Sequence, residues 1–425
     1  MRVAVIGTGI SGNVAAYHLC RNHEVAVYEA AAHVGGHTDT HEVAHDGRTL
    51  HIDTGFIVFN DRNYPSFVQL LDELGVASQP SSMSFSVRDE LSGLEYNGTS
   101  LDGLFAQRRN LLRPAFWRML GEILRFNREA SALLDRAGCE LTLGEFLLEK
   151  RYCRELIDYY VIPMGAAIWS TDPASMRRFP ARFFVRFLHN HGMLTLAGRP
   201  QWRVIRGGSA RYVEKLTAGY RGRIRLNCRV ELIQRRRGEV LVKAQGCPAE
   251  RFDTVFLACH SDQALAMLAD ADSREREVLG AIPYQRNEAV LHTDERLLPR
   301  ARRAWAAWNY HALGDQRERV ALTYNMNILQ SLNTRTPYLV TLNRSESIDP
   351  AKIIKRMQYD HPLYTPGATA AQARQREING GRGVYFCGAY WGNGFHEDGV
   401  VSARAALRHF EEDLEHARLQ LPRRA

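Results

Sequence analysis

Three glycines in one short turn, Gly7, Gly9 and Gly12, constrain this chain more than any other feature, because of what stands on either side of them. Arg2 to Ile6 is a short apolar run of the kind that forms a buried parallel strand. Gly12 to Arg21 carries apolar residues at helical spacing, and Glu24 to Tyr28 reads as a second strand. This is a βαβ unit with glycines at its first turn. Gly7 permits the tight turn, Gly9 lets the backbone touch a pyrophosphate, and Gly12 lets helix and strand pack closely, with the phosphates at the helix amino terminus beside Ile10 and Ser11. Glu29, ending the second strand, can accept hydrogen bonds from a ribose diol and disfavours a 2′-phosphate, which argues against NADP. Strand, turn, helix, strand and acid in this order predict a dinucleotide site.

The continuation separates FAD from NAD. A second glycine pair, Gly35 and Gly36, followed by His37 and Thr38, lets the chain pass close to the pyrophosphate and flavin; the competing reading is an ordinary loop. Leu50 to Val58 then alternates like a strand and brings Thr54 and Gly55 past the same cofactor. Val230 is expected at the end of a short strand, where its backbone can read an adenine edge. Gly383 to Leu407 reads as a strand, a glycine-rich turn containing Gly388, and a helix beginning about Gly399. Aimed at the flavin pyrimidine, that helix terminus would stabilise the negative charge of reduced flavin. Phe395, His396, Glu397, Asp398, Gly399 and Val400 belong to this turn and are expected cofactor contacts.

With 425 residues the chain is too long for one simple core. We expect an α/β protein: a Rossmann-type FAD-binding lobe assembled from residues 1–58, 205–265 and 380–415, a helical cap with part of the substrate domain over 59–204, and a mixed substrate sheet over 266–379. Trp305, Trp308, Tyr310, His311, Asn325 and Asn327 are the notable side chains of that sheet. Ile157 to Trp169 is dense in apolar and aromatic residues and suits a pocket wall or plain core. Two stretches, Leu104 to Ala137 and Arg177 to Leu188, interleave arginines with aromatics, and each reads either as a helix on a membrane surface or as a cap helix facing the core.

The net charge is +8, and only five of the 55 basic residues are lysines. Guanidinium forks suit an anionic surface or substrate, although a GC-rich genome gives the same bias. No nucleic-acid-binding motif accompanies the charge, so nucleic acid is not an expected partner. The seven cysteines are scattered without zinc-like spacing, which predicts no metal site and a reducing compartment. A first strand beginning at Arg2 leaves no place for a signal peptide, the last residues from Leu421 look frayed, and no apolar run reaches the roughly 18 residues that span a bilayer. The expected location is cytoplasmic, extending to the inner face of the cell membrane.

Taken together, the GTGISG turn, Glu29, Gly35-Gly36, the FDTVFLA strand and the C-terminal glycine turn resemble the FAD-dependent amine oxidase and phytoene desaturase superfamily. More narrowly, DTGFIVFNDRNYP, the GGS after Trp202, LACHSDQAL and GFHEDGVVSA look like flavoproteins often encoded beside cyclopropane-fatty-acid synthase relatives, among them the methylated fatty acyl desaturase of furan fatty acid synthesis. That resemblance implies FAD, a lipid or acyl-chain substrate, an Arg/Phe-rich cap docking on an anionic membrane, and a methyltransferase partner. The sequence departs from the wider family in two ways. No lysine lies between Gln285 and Leu342, where flavin amine oxidases usually carry one, and Gly388 is followed by Ala389 in place of an acid.

The expected reaction removes hydrogen from a methyl-branched unsaturated acyl chain of a phospholipid, with hydride passing to flavin N5 and a proton to His396 or Glu397. Equally open is a His-Glu pair that only fixes the turn. The alternatives are a soluble flavin amine oxidase and a non-catalytic, flavin-bound protein that presents lipids to a methyltransferase.

Overall fold

Four of the five residues of the first strand, β1 (Arg2–Ile6), are buried, on both faces, as in an inner strand of a parallel sheet. The computed structural model describes residues 1–135, 141–195, 197–314 and 319–419; Cys139 and the expected frayed end lie outside them. β1 is followed by α1 (Ile10–Leu19) and β2 (Glu24–Tyr28). With β3 (Ile224–Arg225), β4 (Thr254–Leu257) and β5 (Val384–Phe386) they build a five-stranded parallel sheet in the order β3-β2-β1-β4-β5.

The register decides where chemistry can occur. Ile6 stands opposite both Tyr28 and Leu257, and Leu257 opposite Phe386, so Gly7, Glu29, Ala258 and Cys387 all leave the sheet at one edge. The carboxyl ends of parallel strands are where open α/β sheets bind ligands. On one face of the sheet α1 packs against the last helix, α6 (His396–Leu419). α6 starts three residues earlier than the sequence suggested, because the carboxylate of Asp398 accepts the Phe395 N–H at 2.9 Å and closes the first turn from within. Val230 also departs from expectation. It opens the strand Val230–Arg236, part of a three-stranded antiparallel ribbon, where it was expected to end one.

The second lobe is a seven-stranded sheet that takes Phe85–Asp89 and Glu95–Asn97 from the first half of the chain and its other five strands from Tyr284 to Pro362. Helices α2 (Pro65–Leu74), α3 (Pro114–Ala130), α4 (Ala181–Asn190) and α5 (Ala210–Thr217) pack around the two lobes. The arginine-phenylalanine stretch at α4 turns its rings inward: Phe179, Phe184 and Phe187 are buried among Trp169, Leu188 and Tyr364. Each such ring contributes about 1.5–3 kcal/mol by leaving water, so this stretch is cap core and not the lipid-facing surface that it resembled.

Candidate functional site

α1 begins at Ile10 with Gly9 before it and no side chain capping its amino terminus. Its first N–H groups therefore have no partner within the helix and favour an anion. A Cβ added to Gly9 would meet nothing within 4 Å, whereas one added to Gly12 would fall 2.0 Å from the Gly7 carbonyl oxygen. Gly12 is thus closed packing and Gly9 is open space. Gly36, at φ +59°, lies over this turn, its notional Cβ 3.0 Å from the Gly9 Cα, so the second glycine pair roofs the first. Glu29 completes this end. Its Oε2 accepts the Thr8 N–H at 2.9 Å and hydroxyl at 2.5 Å, and its Oε1 accepts the Ala31 N–H at 2.8 Å. A carboxylate with about four acceptor sites keeps one for a further donor.

From this cradle a cavity of about 680 Å³ runs toward the second sheet. Gly7, Gly9, Ile10, Ser11 and Glu29 line its near end, with Gly35, Gly36, His37 and Gly55 above, and Gly388, Phe395 and His396 on the far wall. The other residues expected at the cofactor stand behind these walls. Thr38 bonds Tyr212 and His396, and Thr54 bonds the Asp39 carbonyl and the Tyr359 hydroxyl. Gly399 presses on α1, where Ser11 donates to its carbonyl at 3.0 Å, and Val400 is fully buried beneath. Gly12 and Val230 also lie off the lining, as do Glu397 and Asp398. Burial raises the Asp398 carboxyl to about 6.

The two residues expected to move a proton have other work. His396 is stacked on Phe56 with centroids 3.5 Å apart, and its Nε2 sits 3.0 Å from Thr38 Oγ1 and 2.9 Å from the Tyr212 hydroxyl. Burial holds its imidazole well below the ordinary range, so it is a neutral ring whose Nε2 is engaged by two hydroxyls. Glu397 accepts the Ser66 and Phe67 N–H groups at 3.0 and 2.8 Å. The sequence Tyr64-Pro65 gives α2 no capping side chain of its own, and Glu397 supplies the cap from another element.

The groups that sequence reasoning missed lie across the cavity. His260 follows β4 on the ligand edge of the sheet, and His361 comes from the strand Ile353–Pro362; with His37 they form a cluster, ring centroids 6.2 and 5.5 Å from that of His37. Burial lowers His37 to about 4 and His361 to about 3, and lowers His260 as well. His37 Nε2 is buried without a hydrogen-bond partner. Position at the end of a parallel strand was the available signal for His260; nothing local marks His361. Among the described residues no group of three His, Cys, Asp or Glu is arranged to hold a metal ion.

Beyond the histidines the walls turn apolar: Met83, Phe85, Tyr160, Met164, Trp169 and Tyr324 line the far half. A π-helical turn at Ile157–Val161 precedes the helix Ile162–Trp169 in this wall, a distortion that recurs at functional sites and that apolar periodicity does not reveal. Trp169 Nε1 donates to the Asn393 carbonyl at 3.2 Å and ties the cap to the glycine turn before α6. Of the side chains singled out in the substrate sheet, only Trp308 meets the cavity. Tyr310, His311 and Asn325 are buried within the sheet layer.

An uncapped helix end, an empty space at Gly9, a second glycine turn above it and an acid at the end of β2 fit a dinucleotide, and the cavity continues past the cradle as a flavin requires. Comparison with known proteins agrees. A variant of putrescine oxidase superposes with a TM-score of 0.71 at 16% identity, covering 97% of this chain and 99% of that one. A CLA-producing fatty acid isomerase from P. acnes does so at 0.67 and 16%, covering 96% and 98%. Protoporphyrinogen oxidase 2 of Arabidopsis thaliana is 28% identical over 187 residues, which are 41% of this chain and 34% of that relative. The match therefore spans about a third of the relative's length. The family of flavin containing amine oxidoreductases matches residues 10–297, more than half of the chain. This protein belongs to that family and is an FAD-dependent oxidoreductase.

Proposed function

We propose that the protein dehydrogenates an unsaturated, methyl-branched acyl chain of a phospholipid. The observation that carries this reading is the chemistry of the far half of the cavity. Among the described residues that line the cavity the only acids are Glu29, at the dinucleotide end, and Asp360, beside the histidines; none stands among Met83, Phe85, Tyr160, Met164 and Trp169. An ammonium substrate entering there would lose its hydration without a counter-charge, whereas an alkyl chain gains from the same walls. No lysine lines the cavity either.

FAD bound in the cradle supplies a two-electron acceptor. The chain's own residues do the rest. Tyr160, Met164 and Trp169 hold the acyl chain and keep water from the reacting carbon. His37, which lines the cavity and is kept neutral by burial, is the acceptor we assign to the proton that leaves with the hydride. The Asp398 carboxylate and the Trp169-Asn393 bond hold the glycine turn in place as the opposite wall. The fatty acid isomerase of like fold acts on an acyl chain, which is compatible with this reading.

The test is anaerobic mixing of the purified yellow protein with dispersed lipids carrying methyl-branched unsaturated chains, followed by mass spectrometry of the lipids. Bleaching of the flavin with loss of two hydrogens from the chain supports the proposal. Bleaching by putrescine or other amines and not by lipid replaces it with amine oxidation. A flavin untouched by either, in a protein that co-purifies with a methyltransferase, points to a lipid-presenting partner.

A further inference from the structure

We infer that the surface running from Leu101 to Arg128 docks on an anionic bilayer and sets the cavity mouth against it. The inference rests on the acyl-chain reading above. With α4 facing inward, the apolar residues that remain outside are concentrated here: Leu101, Leu112, Trp117 and Leu124 are 75%, 87%, 51% and 56% exposed. Single exposed leucines are ordinary on soluble proteins; a contiguous ridge of them is not. Trp117 and Leu124 lie seven residues apart on α3, on one stripe, with exposed Gly121 between them. Trp117 Nε1 donates to the Leu111 carbonyl at 2.9 Å, which fixes the turn carrying Leu111 and Leu112 against the helix.

The charge around it is net positive. Residues 101–130 contain six arginines and three acids. Each acid is already engaged: Asp102 with Arg108 and Arg303, Glu122 and Glu129 with Arg125. Arg113 and Arg128 have no carboxylate partner among the described residues and are free to meet lipid phosphates, the arrangement of an interfacial helix. The mouth is close by. Gly98 and Thr99 line the cavity and are exposed, and Ser100 then caps the short helix that begins at Leu101. Arg199, also exposed and lining the cavity, makes no ion pair among the described residues. A leaflet resting on the ridge would thus have its acyl chains beside the opening and its phosphates beside arginines.

The test is flotation of the flavin-loaded protein with vesicles of phosphatidylglycerol and phosphatidylcholine, or of phosphatidylcholine alone. Wild type is expected to float with the anionic vesicles and to be released by about 0.5 M salt. Leu112→Glu combined with Trp117→Glu is expected to lower the bound fraction about tenfold, with an unchanged flavin spectrum and melting temperature. Arg186→Glu, on the exposed side of α4, serves as control and is expected to bind as wild type does. Equal binding by the double variant, or no binding by wild type, overturns the inference. Turnover of a detergent-dispersed acyl substrate separates this from the proposed function: binding without turnover leaves the docking surface standing and removes the substrate assignment.

Discussion

The imidazole of His396 lies flat on the ring of Phe56, centroids 3.5 Å apart and planes 14° apart, with its Nε2 held between the Thr38 and Tyr212 hydroxyls. A ring so engaged joins α6 to the 54–58 segment, and its Nε2 is committed to the two hydroxyls. His396→Gln should retain one of those hydrogen bonds and lose the stack, costing about 1–3 kcal/mol. The pH dependence of anaerobic flavin reduction should keep the shape it has in the wild type. Disappearance of an ionisation from that profile would return His396 to an acid-base role.

Glu397 gives a second, separable effect. Both oxygens serve the start of α2, where Pro65 has no N–H and Tyr64 offers no cap. Glu397→Ala should therefore cost about 1–2 kcal/mol in urea unfolding. Glu397→Gln, which keeps one acceptor, should cost less. Flavin content should be retained in both variants.

The glycines of the first turn can be told apart by experiment. Gly9→Ala places its methyl in open space, so the protein should fold, yet that methyl enters the volume assigned to the pyrophosphate. Expected is a soluble protein with a low ratio of flavin to protein absorbance. Gly12→Ala puts a methyl 2.0 Å from the Gly7 carbonyl oxygen and should prevent the lobe from forming, giving insoluble protein. A yellow, stable Gly12→Ala protein would show that the β1-α1 turn tolerates rearrangement.

The contrast between these glycines and His361 marks how far the sequence could be read. Gly7, Gly9, Gly12 and Glu29 act within one local unit, and period and turn chemistry make such units visible. His37, His260 and His361 meet only because β4 and the strand Ile353–Pro362 converge on one cavity, and no spacing records that. The turn after β5 was expected beside the cavity and His396 does line it, but the chemistry of His396 and Glu397 was not legible. Whether a histidine is a base or a stacked structural ring depends on Phe56, Thr38 and Tyr212, contributed by distant segments. Likewise, the arginine and aromatic text at Arg177 to Leu188 and at Leu104 to Ala137 looked alike, and only packing showed which described side chains were covered.

The buried histidines also set the acid stability. Burial holds His37, His191 and His292 at about 4 and His361 at about 3, below the ordinary 6.5. As pH falls below 6.5 the unfolded chain takes up protons that these folded rings refuse, so their stabilisation is complete above 6.5 and is lost on descent toward 4. Asp53 and Asp398 act the other way: burial raises both from 3.8 to about 6, so their contribution is present at low pH and is lost as pH rises through 6. Four imidazoles oppose two carboxylates across this window. The melting temperature of the ligand-free protein should fall between about pH 7.5 and about pH 5. A rise over that interval would mean that the histidines are not held neutral.

The apolar half of the cavity offers the sharpest check on the substrate class. Met164 is buried on the helix Ile162–Trp169, lines the cavity and is remote from the Gly9 cradle in sequence. Met164→Trp fills the space without adding charge, at an overpacking cost of about 1–3 kcal/mol. If a long acyl chain occupies this volume, the variant should stay yellow and keep oxidising a short-chain acyl substrate, while flavin reduction by the long-chain lipid slows by about tenfold or more. If the substrate is a small amine bound close to the histidines, long and short substrates should respond alike. Reduction of the flavin by a chain-length series, measured side by side in wild type and Met164→Trp, distinguishes these outcomes, because the two readings place their substrates in different halves of one cavity.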